Sequence, residues 1–223
     1  MASELKEIES KPLPKGGNSI LNNAKYSSAN TDEWYTTYET IAEELAHYQE
    51  QFRNKIVLCN CDDPYESNFC YYFLKHFNQL QLKKLICTSY AGSKIAQIQA
   101  NSKLSVKTKG VKGKNKYAKN GYVLIVTEIP GKHGEEVSDE IIKTVIEKKG
   151  TIEKLKGSGD FSSDECIEYL KECDICCTNP PFSLFASLFS LLIKYEKQYL
   201  LIGNQNAITY KEIFPYIKEN KAW

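Results

Sequence analysis

Short apolar segments rich in Val, Ile, Leu and Cys alternate along this chain with helical segments, and this alternation limits the possible folds more than any other feature. Between residues 55 and 89, an apolar run, a polar turn, a helical segment and a second apolar run follow one another. A strand, a helix and a strand in this order form a βαβ unit, whose two strands lie parallel in one sheet. The sequence therefore predicts an α/β fold.

The same patterns predict the order of the elements. Strands are expected over residues 55–59, 84–89, 121–127, 151–155, 174–178 and 198–202. Helices are expected over residues 38–52, 63–77, 135–149, 163–171, 184–195 and 210–220. The second helix is expected to begin at Asp63 and Pro64, because Asp caps helices and Pro favours their first position. Residues 1–30 have no periodic pattern and predict a mobile arm ahead of one domain spanning 31–223.

Residues 91–150 interrupt the alternation, and we interpret them as an insertion. The whole chain has 29 Lys and Arg against 28 Asp and Glu, which excludes a polycationic protein but allows a local basic patch. Residues 91–127 contain eight lysines and no acidic residue, and 103–120 predict a loop or hairpin. These lysines could contact the phosphates of a nucleic acid or form a solvated loop. The candidates for phosphate contact are Lys107, Lys109, Lys112, Lys114, Lys116 and Lys119.

The eight cysteines predict neither a disulfide framework nor a metal site. Several of them lie inside strand-like runs, where a reduced cysteine behaves as a small apolar residue. The three histidines are scattered, and no second cysteine pair has the spacing of a zinc site. The longest uncharged apolar run, residues 182–193, is too short to span a bilayer, and no secretory segment opens the chain. We therefore expect reduced core cysteines, no metal, no membrane association and a cytoplasmic location.

Three polar segments follow predicted strands, at the place where ligands bind in open parallel sheets. These segments are Asn60–Asn68, Gly157–Phe161 and Asn179–Phe182. Because the carboxyl ends of parallel strands lie at one edge of a sheet, the three segments could converge on one crevice.

The sequence Asn179-Pro180-Pro181-Phe182 is the sharpest of these signals. Prolines lack the N–H that a central strand needs, so a rigid turn must follow the strand and fix Asn179 and Phe182. The alternative is an ordinary strand-ending turn with Phe182 packed in the core.

Six segments together resemble the EcoRI-type adenine-specific DNA methyltransferase family. They are residues 32–36, 58–69, 84–88, 157–161, 178–185 and 202–214. The resemblance implies a Rossmann-like methyltransferase fold with a mainly parallel sheet, with 31–223 as the catalytic domain. It also implies methyl transfer from S-adenosylmethionine to N6 of adenine in double-stranded DNA, within a restriction–modification system.

Chains of this family usually continue past the last helix, so this chain is expected to be truncated at its C-terminus. A second chain could then supply missing target-recognition elements. Two alternatives stay open: a catalytically inactive remnant that binds nucleic acid, and an RNA or protein-glutamine methyltransferase, which shares the Asn-Pro-Pro-Phe motif.

The resemblance assigns the Asn-Pro-Pro-Phe motif to catalysis. The amide oxygen of Asn179 and the backbone carbonyl of Pro180 would accept the two hydrogens of the adenine amine. Phe182 would stack on the adenine after it leaves the duplex. Pro181 completes the rigid turn between these groups.

The resemblance also implies five cofactor contacts near the first strand. Tyr35 and Thr36 would approach the methionine end of S-adenosylmethionine. Asp62, Asp63 and Pro64 occupy the loop after the first strand, and a helix starting at Pro64 would offer free N–H groups to a carboxylate.

Two more contacts are expected from the Gly157–Phe161 segment. Asp160 would accept a hydrogen bond from the cofactor adenine, and Phe161 would stack on it. Alternatively, Asp160 caps the following helix. The second strand does not end in the acidic residue that usually binds the ribose, so ribose recognition is not assigned to one residue, and Glu66 and Tyr90 are the candidates.

Overall fold

The computed structural model describes residues 36–104, 119–148 and 150–222. Its strands are β1 (Ile56–Asn60), β2 (Lys84–Ser89), β3 (Tyr122–Val126), β4 (Ile152–Lys154), β5 (Ile175–Thr178) and β6 (Gln198–Leu201). Its α-helices are α1 (Tyr38–Leu45), α2 (Gln49–Phe52), α3 (Asn68–Lys75), α4 (Lys94–Leu104), α5 (Asp139–Glu147), α6 (Asp164–Glu172), α7 (Phe185–Lys194) and α8 (Phe214–Lys218). Short 3-10 helices span Ala46–Tyr48, Phe182–Leu184 and Gln205–Thr209.

The six strands of the described ranges form one sheet in the order β4-β3-β2-β1-β5-β6. The four strands β2, β1, β5 and β6 are parallel to one another, while β3 runs antiparallel to both of its neighbours. Ser89 at the end of β2 pairs with Tyr122 at the start of β3, so the chain re-enters the sheet at the carboxyl end of β2. This arrangement confirms the expected α/β class with a mainly parallel, Rossmann-like sheet.

Helices cover both faces of the sheet, and β1 is buried on both sides. Val57 and Cys59 face a core cluster shared with α1, α3 and α5, whereas Leu58 faces a second cluster shared with α6 and α7. Side chains alternate between the two faces of a strand, so a strand between two helical layers must be apolar throughout. This requirement explains the unbroken apolar run that predicted β1.

The predicted helix start at Asp63 and Pro64 is wrong. Helix α3 begins at Asn68, and Ser67 is its cap, with its hydroxyl accepting from the backbone N–H of Cys70 at 3.1 Å. Asp63 instead accepts from the backbone N–H of Tyr65 at 2.8 Å and closes a local turn. Because of this turn, α3 begins four residues later in the sequence than predicted.

Other elements differ from the prediction in extent. Helix α4 was not predicted, and it lies inside the segment interpreted as an insertion. The predicted helix over 210–220 contains only α8, which has Pro215 in its first turn. The expected arm (1–30), Tyr35 and the lysines from Lys107 to Lys116 lie outside the described residues.

All eight cysteines lie within the described ranges and all are free there. Seven are buried, and burial raises the pKa of Cys59 to about 12, so its thiol is neutral at physiological pH. Among the described residues, no group of three or more His, Cys, Asp or Glu could hold a metal ion. None of the helices in these ranges is long and apolar enough to cross a membrane.

Candidate functional site

A cleft of about 460 Å³ opens at the carboxyl ends of β1, β2 and β5. Each of these strands is followed by a loop that lines it, through Asp62 after β1, Tyr90 after β2 and Asn179 after β5. Two of the three predicted segments therefore meet in one cleft. The rule that ligands bind beyond the carboxyl ends of parallel strands identifies this cleft as the candidate site.

The turn out of β1 is made without glycine. Cys61 has a φ of 71°, in the left-handed region that non-glycine residues seldom adopt. The next backbone N–H, that of Asp62, donates to the oxygen of Thr88 in β2 at 2.9 Å and holds the turn against the sheet. Backbone strain of this kind concentrates at functional sites.

We predict that glycine at position 61 is better tolerated than alanine. Cys61→Gly removes the left-handed strain and Cys61→Ala keeps it, so the glycine variant should be more stable by about 1 kcal/mol in urea unfolding. At Cys59, in the extended conformation of β1, the order should reverse. The same order at both positions would contradict this account of the turn.

Asp62 is the first of the acidic residues that line the cleft from the β1 loop. Its carboxylate accepts from the hydroxyl of Ser67 at 2.6 Å, and the same Ser67 hydroxyl caps α3. Asp62 is thus fixed at the N-terminal end of α3, where the helix dipole favours negative charge. The carboxylate position is set by the fold before any ligand binds.

Asp63 also lines the cleft, but both of its carboxylate oxygens bind backbone. One accepts from the N–H of Tyr65 at 2.8 Å and the other from the N–H of Ile95, in the first turn of α4, at 2.7 Å. The side chain therefore connects the β1 loop to α4. Pro64 is buried and does not line the cleft.

Thr36 lies at the start of the described chain and reaches the cleft through Asn68. The amide Nδ2 of Asn68 donates to the backbone oxygen of Thr36 at 2.7 Å, and both residues line the cleft. This contact brings the segment before α1 to the N-terminus of α3.

The segment after β2 forms a wall of the cleft that sequence reasoning largely missed. Tyr90 is 54% exposed, and Ser93 also lines the cleft, together with Lys94 and Gln97 of α4. Glu66, from the β1 loop, pairs with Lys94 at 3.7 Å. The Ser93 hydroxyl has no hydrogen-bond partner among the described residues, and the first turn of α4 is capped instead by Asp63, which accepts from the N–H of Ile95. The start of α4 therefore depends on a long-range contact that no local sequence signal encodes.

The Gly157–Phe161 segment lies against the end of β2 but does not line the cleft. The backbone oxygen of Ser158 accepts from the N–H of Ala91 at 2.7 Å. A Cβ atom on Gly159 would lie 2.3 Å from the backbone oxygen of Ser89, and its φ is 83°, so only glycine fits there.

The suggestion that Asp160 caps the following helix is wrong. Asp160 accepts from the N–H of Ser162 at 2.8 Å and from its hydroxyl at 2.7 Å, whereas Ser163 caps α6. Asp160 is exposed. Phe161 is only 6% exposed and belongs to the buried cluster beside α6 and α7, so stacking on a cofactor would require part of its ring to be uncovered.

The Asn179–Phe182 motif leaves the sheet as a tight turn. Asn179 is half-buried and lines the cleft, while Pro180 is buried. Pro181 has a φ of −51°, and its oxygen accepts from the N–H of Leu184 at 2.9 Å. Phe182 is half-buried and is not a member of the core clusters found among the described residues, contrary to the alternative that packs it in the core.

Of the six candidate lysines, only Lys119 lies within the described residues. It is exposed and precedes Asn120, whose amide Nδ2 donates to the backbone oxygens of Leu155 and Lys156 at 3.0 and 2.8 Å. Its position at the start of β3 places it at the same end of the sheet as the cleft.

Comparisons with known proteins identify the relatives of this chain. The family model described as adenine-specific methyltransferase EcoRI matches residues 20–223. The chain is 43% identical to the type II methyltransferase M.EcoRI of Escherichia coli over 92% of its own length and 55% of that protein's. It is 40% identical to M.MgeORF184P of Mycoplasma genitalium, over 91% of this chain and 50% of the relative. The chain thus spans about half the length of these relatives, and no solved structure matches it significantly.

Proposed function

Because the chain belongs to the EcoRI adenine-specific methyltransferase family, we propose that it transfers a methyl group from S-adenosylmethionine to N6 of adenine in duplex DNA. The setting would be a restriction–modification system, in the cytoplasm. The observation that carries this proposal is that Asn179, after β5, and Asp62, after β1, line the same cleft.

The residues of the cleft fit S-adenosylmethionine. The volume of about 460 Å³ is in the range of pockets for ligands of this size. The Asp62 carboxylate can pair with the ammonium group, the α3 N-terminus can take the carboxylate, and the exposed ring of Tyr90 offers an apolar face to the purine. Thr36, whose backbone oxygen accepts from Asn68 at the start of α3, would contact the methionine end. When bound, the cofactor supplies an activated methyl group.

The chain's own task is to prepare the adenine amine. The lone pair of this nitrogen is delocalised into the ring, so the amine is a weak nucleophile. Acceptors at the Asn179 amide oxygen and the Pro180 carbonyl would bind its two hydrogens and favour a tetrahedral nitrogen. Because the two prolines fix the turn, these acceptors are held in place before substrate arrives, which is the condition for electrostatic catalysis.

Phe182 would hold the target base outside the duplex. Its ring is half-buried and therefore offers part of its surface, and stacking of a base on an aromatic ring contributes about 1–3 kcal/mol. Asp160 and Phe161 stay proposed contacts of the cofactor adenine.

Labelled S-adenosylmethionine and unmethylated duplex DNA test the proposed function. The expected result is label in DNA that is recovered as N6-methyladenine after digestion to nucleosides. Label in RNA or protein but not in DNA would favour the alternative methyltransferases. Retention of DNA without any methyl transfer would favour an inactive remnant that binds nucleic acid. This outcome is worth testing because the chain matches only about half the length of its relatives.

We further propose that the lysine-rich segment contacts DNA phosphates. Substituting Lys112, Lys114 and Lys116 by alanine should reduce the slope of log affinity against log salt by about 3, because each phosphate contact contributes nearly one unit. The measurement is filter retention of duplex DNA over a salt series.

A control removes the same net charge elsewhere on the surface. It carries alanine at three exposed lysines, Lys132, Lys143 and Lys218, and should keep the original slope. Equal slopes for both triple variants and the wild type would mean that the segment is a solvated loop.

We also propose that target recognition uses protein beyond the matched half of the relatives. A second chain is one source of these elements. Mixing this chain with a candidate partner should then raise the preference for one DNA site over random duplex, and an unchanged preference would contradict that role.

A further inference from the structure

Three polar side chains lie in the buried ends of three neighbouring strands. Asn60 ends β1, Thr88 lies in β2 and Thr178 ends β5, and none is more than 1% exposed. The hydroxyl of Thr88 donates to the Asn60 amide oxygen at 2.7 Å, and the hydroxyl of Thr178 donates to the Asn60 backbone oxygen. Asn60 of β1 is thus hydrogen-bonded to side chains of both neighbouring strands. We call Asn60, Thr88 and Thr178 the strand-end network.

The strand-end network is not explained by the stability of the sheet. The residues that precede its members, Cys59, Cys87 and Cys177, are fully buried in the core. The amide Nδ2 of Asn60 is buried and has no hydrogen-bond partner among the described residues. An unpaired buried donor lowers stability, so an apolar side chain would serve a purely structural role better.

Each member of the network is followed at once by a loop that lines the cleft. Asp62 lies two residues after Asn60, Tyr90 two residues after Thr88, and Asn179 directly after Thr178. Hydroxyl groups locked in a buried network hold a backbone more rigidly than apolar contacts do, because hydrogen bonds are directional. The network is therefore placed to set the geometry on both sides of the cleft.

We propose that Thr178 and Thr88 are positioning residues with separate tasks: Thr178 orients Asn179 for methyl transfer, and Thr88 holds the Asp62 and Tyr90 side of the cleft for the cofactor. This inference rests on the proposed function. A displacement of a reacting group by about 1 Å lowers a rate by about 100-fold, so a small rotation of Asn179 is sufficient to slow transfer. The methyl donor itself would be held as before.

The test compares two substitutions of the same kind. Thr178→Val and Thr88→Val each replace a buried hydroxyl by a methyl group of similar size. Each substitution removes one side-chain hydrogen bond to Asn60. For the full chain we expect Thr178→Val to lower kcat at least tenfold, with affinity for S-adenosylhomocysteine within twofold of wild type. Thr88→Val should instead weaken S-adenosylhomocysteine binding about fivefold or more in calorimetry. Thr178→Ser and Thr88→Ser keep the hydroxyl and should restore each property.

Several outcomes would overturn the inference. If both valine variants lose kcat and affinity to the same extent, in proportion to their fall in Tm, the two threonines have a structural role only. Serine variants that restore neither kcat nor affinity would lead to the same conclusion. If Thr178→Val does not fold, Thr178→Cys replaces it, because the thiol is a weak hydrogen-bond donor, and its kcat should lie between those of wild type and an inactive variant. A kcat of Thr178→Cys equal to that of wild type would contradict the positioning role of Thr178. Wild-type protein without transfer would refute the proposed function, whereas calorimetry on Thr88→Val tests the network independently of transfer.

Discussion

Asn179→Ala is expected to lower the rate of methyl transfer to duplex DNA by about 100-fold or more. The substitution removes the acceptor that would bind one hydrogen of the adenine amine, and losing one preorganised hydrogen-bonding group of this kind costs about 10²–10³ in kcat. Asn179 directly follows β5, in a turn fixed by two prolines, so a water molecule in its place would not be held in the same position. The measurement is the single-turnover rate with labelled S-adenosylmethionine.

A matched control is Asn206→Ala, at an exposed asparagine in the 3-10 helix Gln205–Thr209. Its transfer rate should stay within twofold of wild type. Asn179 lines the cleft, so Asn179→Ala can change the affinity for S-adenosylhomocysteine, but we expect this change to be no more than about fivefold, far less than the loss of rate. The difference between the two effects separates lost chemistry from lost binding. A single-turnover rate for Asn179→Ala equal to that of the control would remove Asn179 from the mechanism.

Asp63→Ala is expected to lower the free energy of unfolding by about 3 kcal/mol. Asp63 is buried and accepts from the backbone N–H groups of Tyr65 and Ile95, and a hydrogen bond to a charged group is worth about 1.5–3 kcal/mol. The substitution leaves both donors without their acceptor and separates the β1 loop from α4. Urea unfolding measures the loss, and affinity for S-adenosylhomocysteine should fall with it, since both elements line the cleft.

Asp160→Ala provides the comparison, because Asp160 also makes two hydrogen bonds, both of them to Ser162. These bonds are exposed to solvent, so water replaces them, and the loss should be below about 1 kcal/mol. A loss at Asp160 as large as that at Asp63 would mean that burial does not explain the difference between the two acidic residues.

The strands were more predictable than the helices, for physical reasons. Strand β2 has the bounds expected from its apolar run, because a strand buried on both faces allows few polar residues. Helix α3 was placed too early because Asp63 and Pro64 are typical of a helix start and of a turn, and only the contact between Asp63 and Ile95 decides between them. The antiparallel direction of β3 depends on long-range pairing with β2, which no local pattern encodes.

The candidate site was predictable where a rule links sequence to topology. Asp62 and Asn179 follow parallel strands, so their convergence could be expected, and the family resemblance supplied the roles that we propose for them. The left-handed conformation of Cys61 could not be expected, since the sequence offers no glycine there. The burial of Phe161 likewise depends on how α6 and α7 pack, and the strand-end network depends on the register between three strands.

A crystal structure of this chain with S-adenosylhomocysteine tests the central claim most directly. The account predicts that the ligand lies in the cleft beyond β1, β2 and β5, with its amino-acid end near Asp62 and its sulfur on the side of Asn179. A ligand bound elsewhere on the chain, or bound in the cleft with Asn179 turned away from the sulfur, would contradict it.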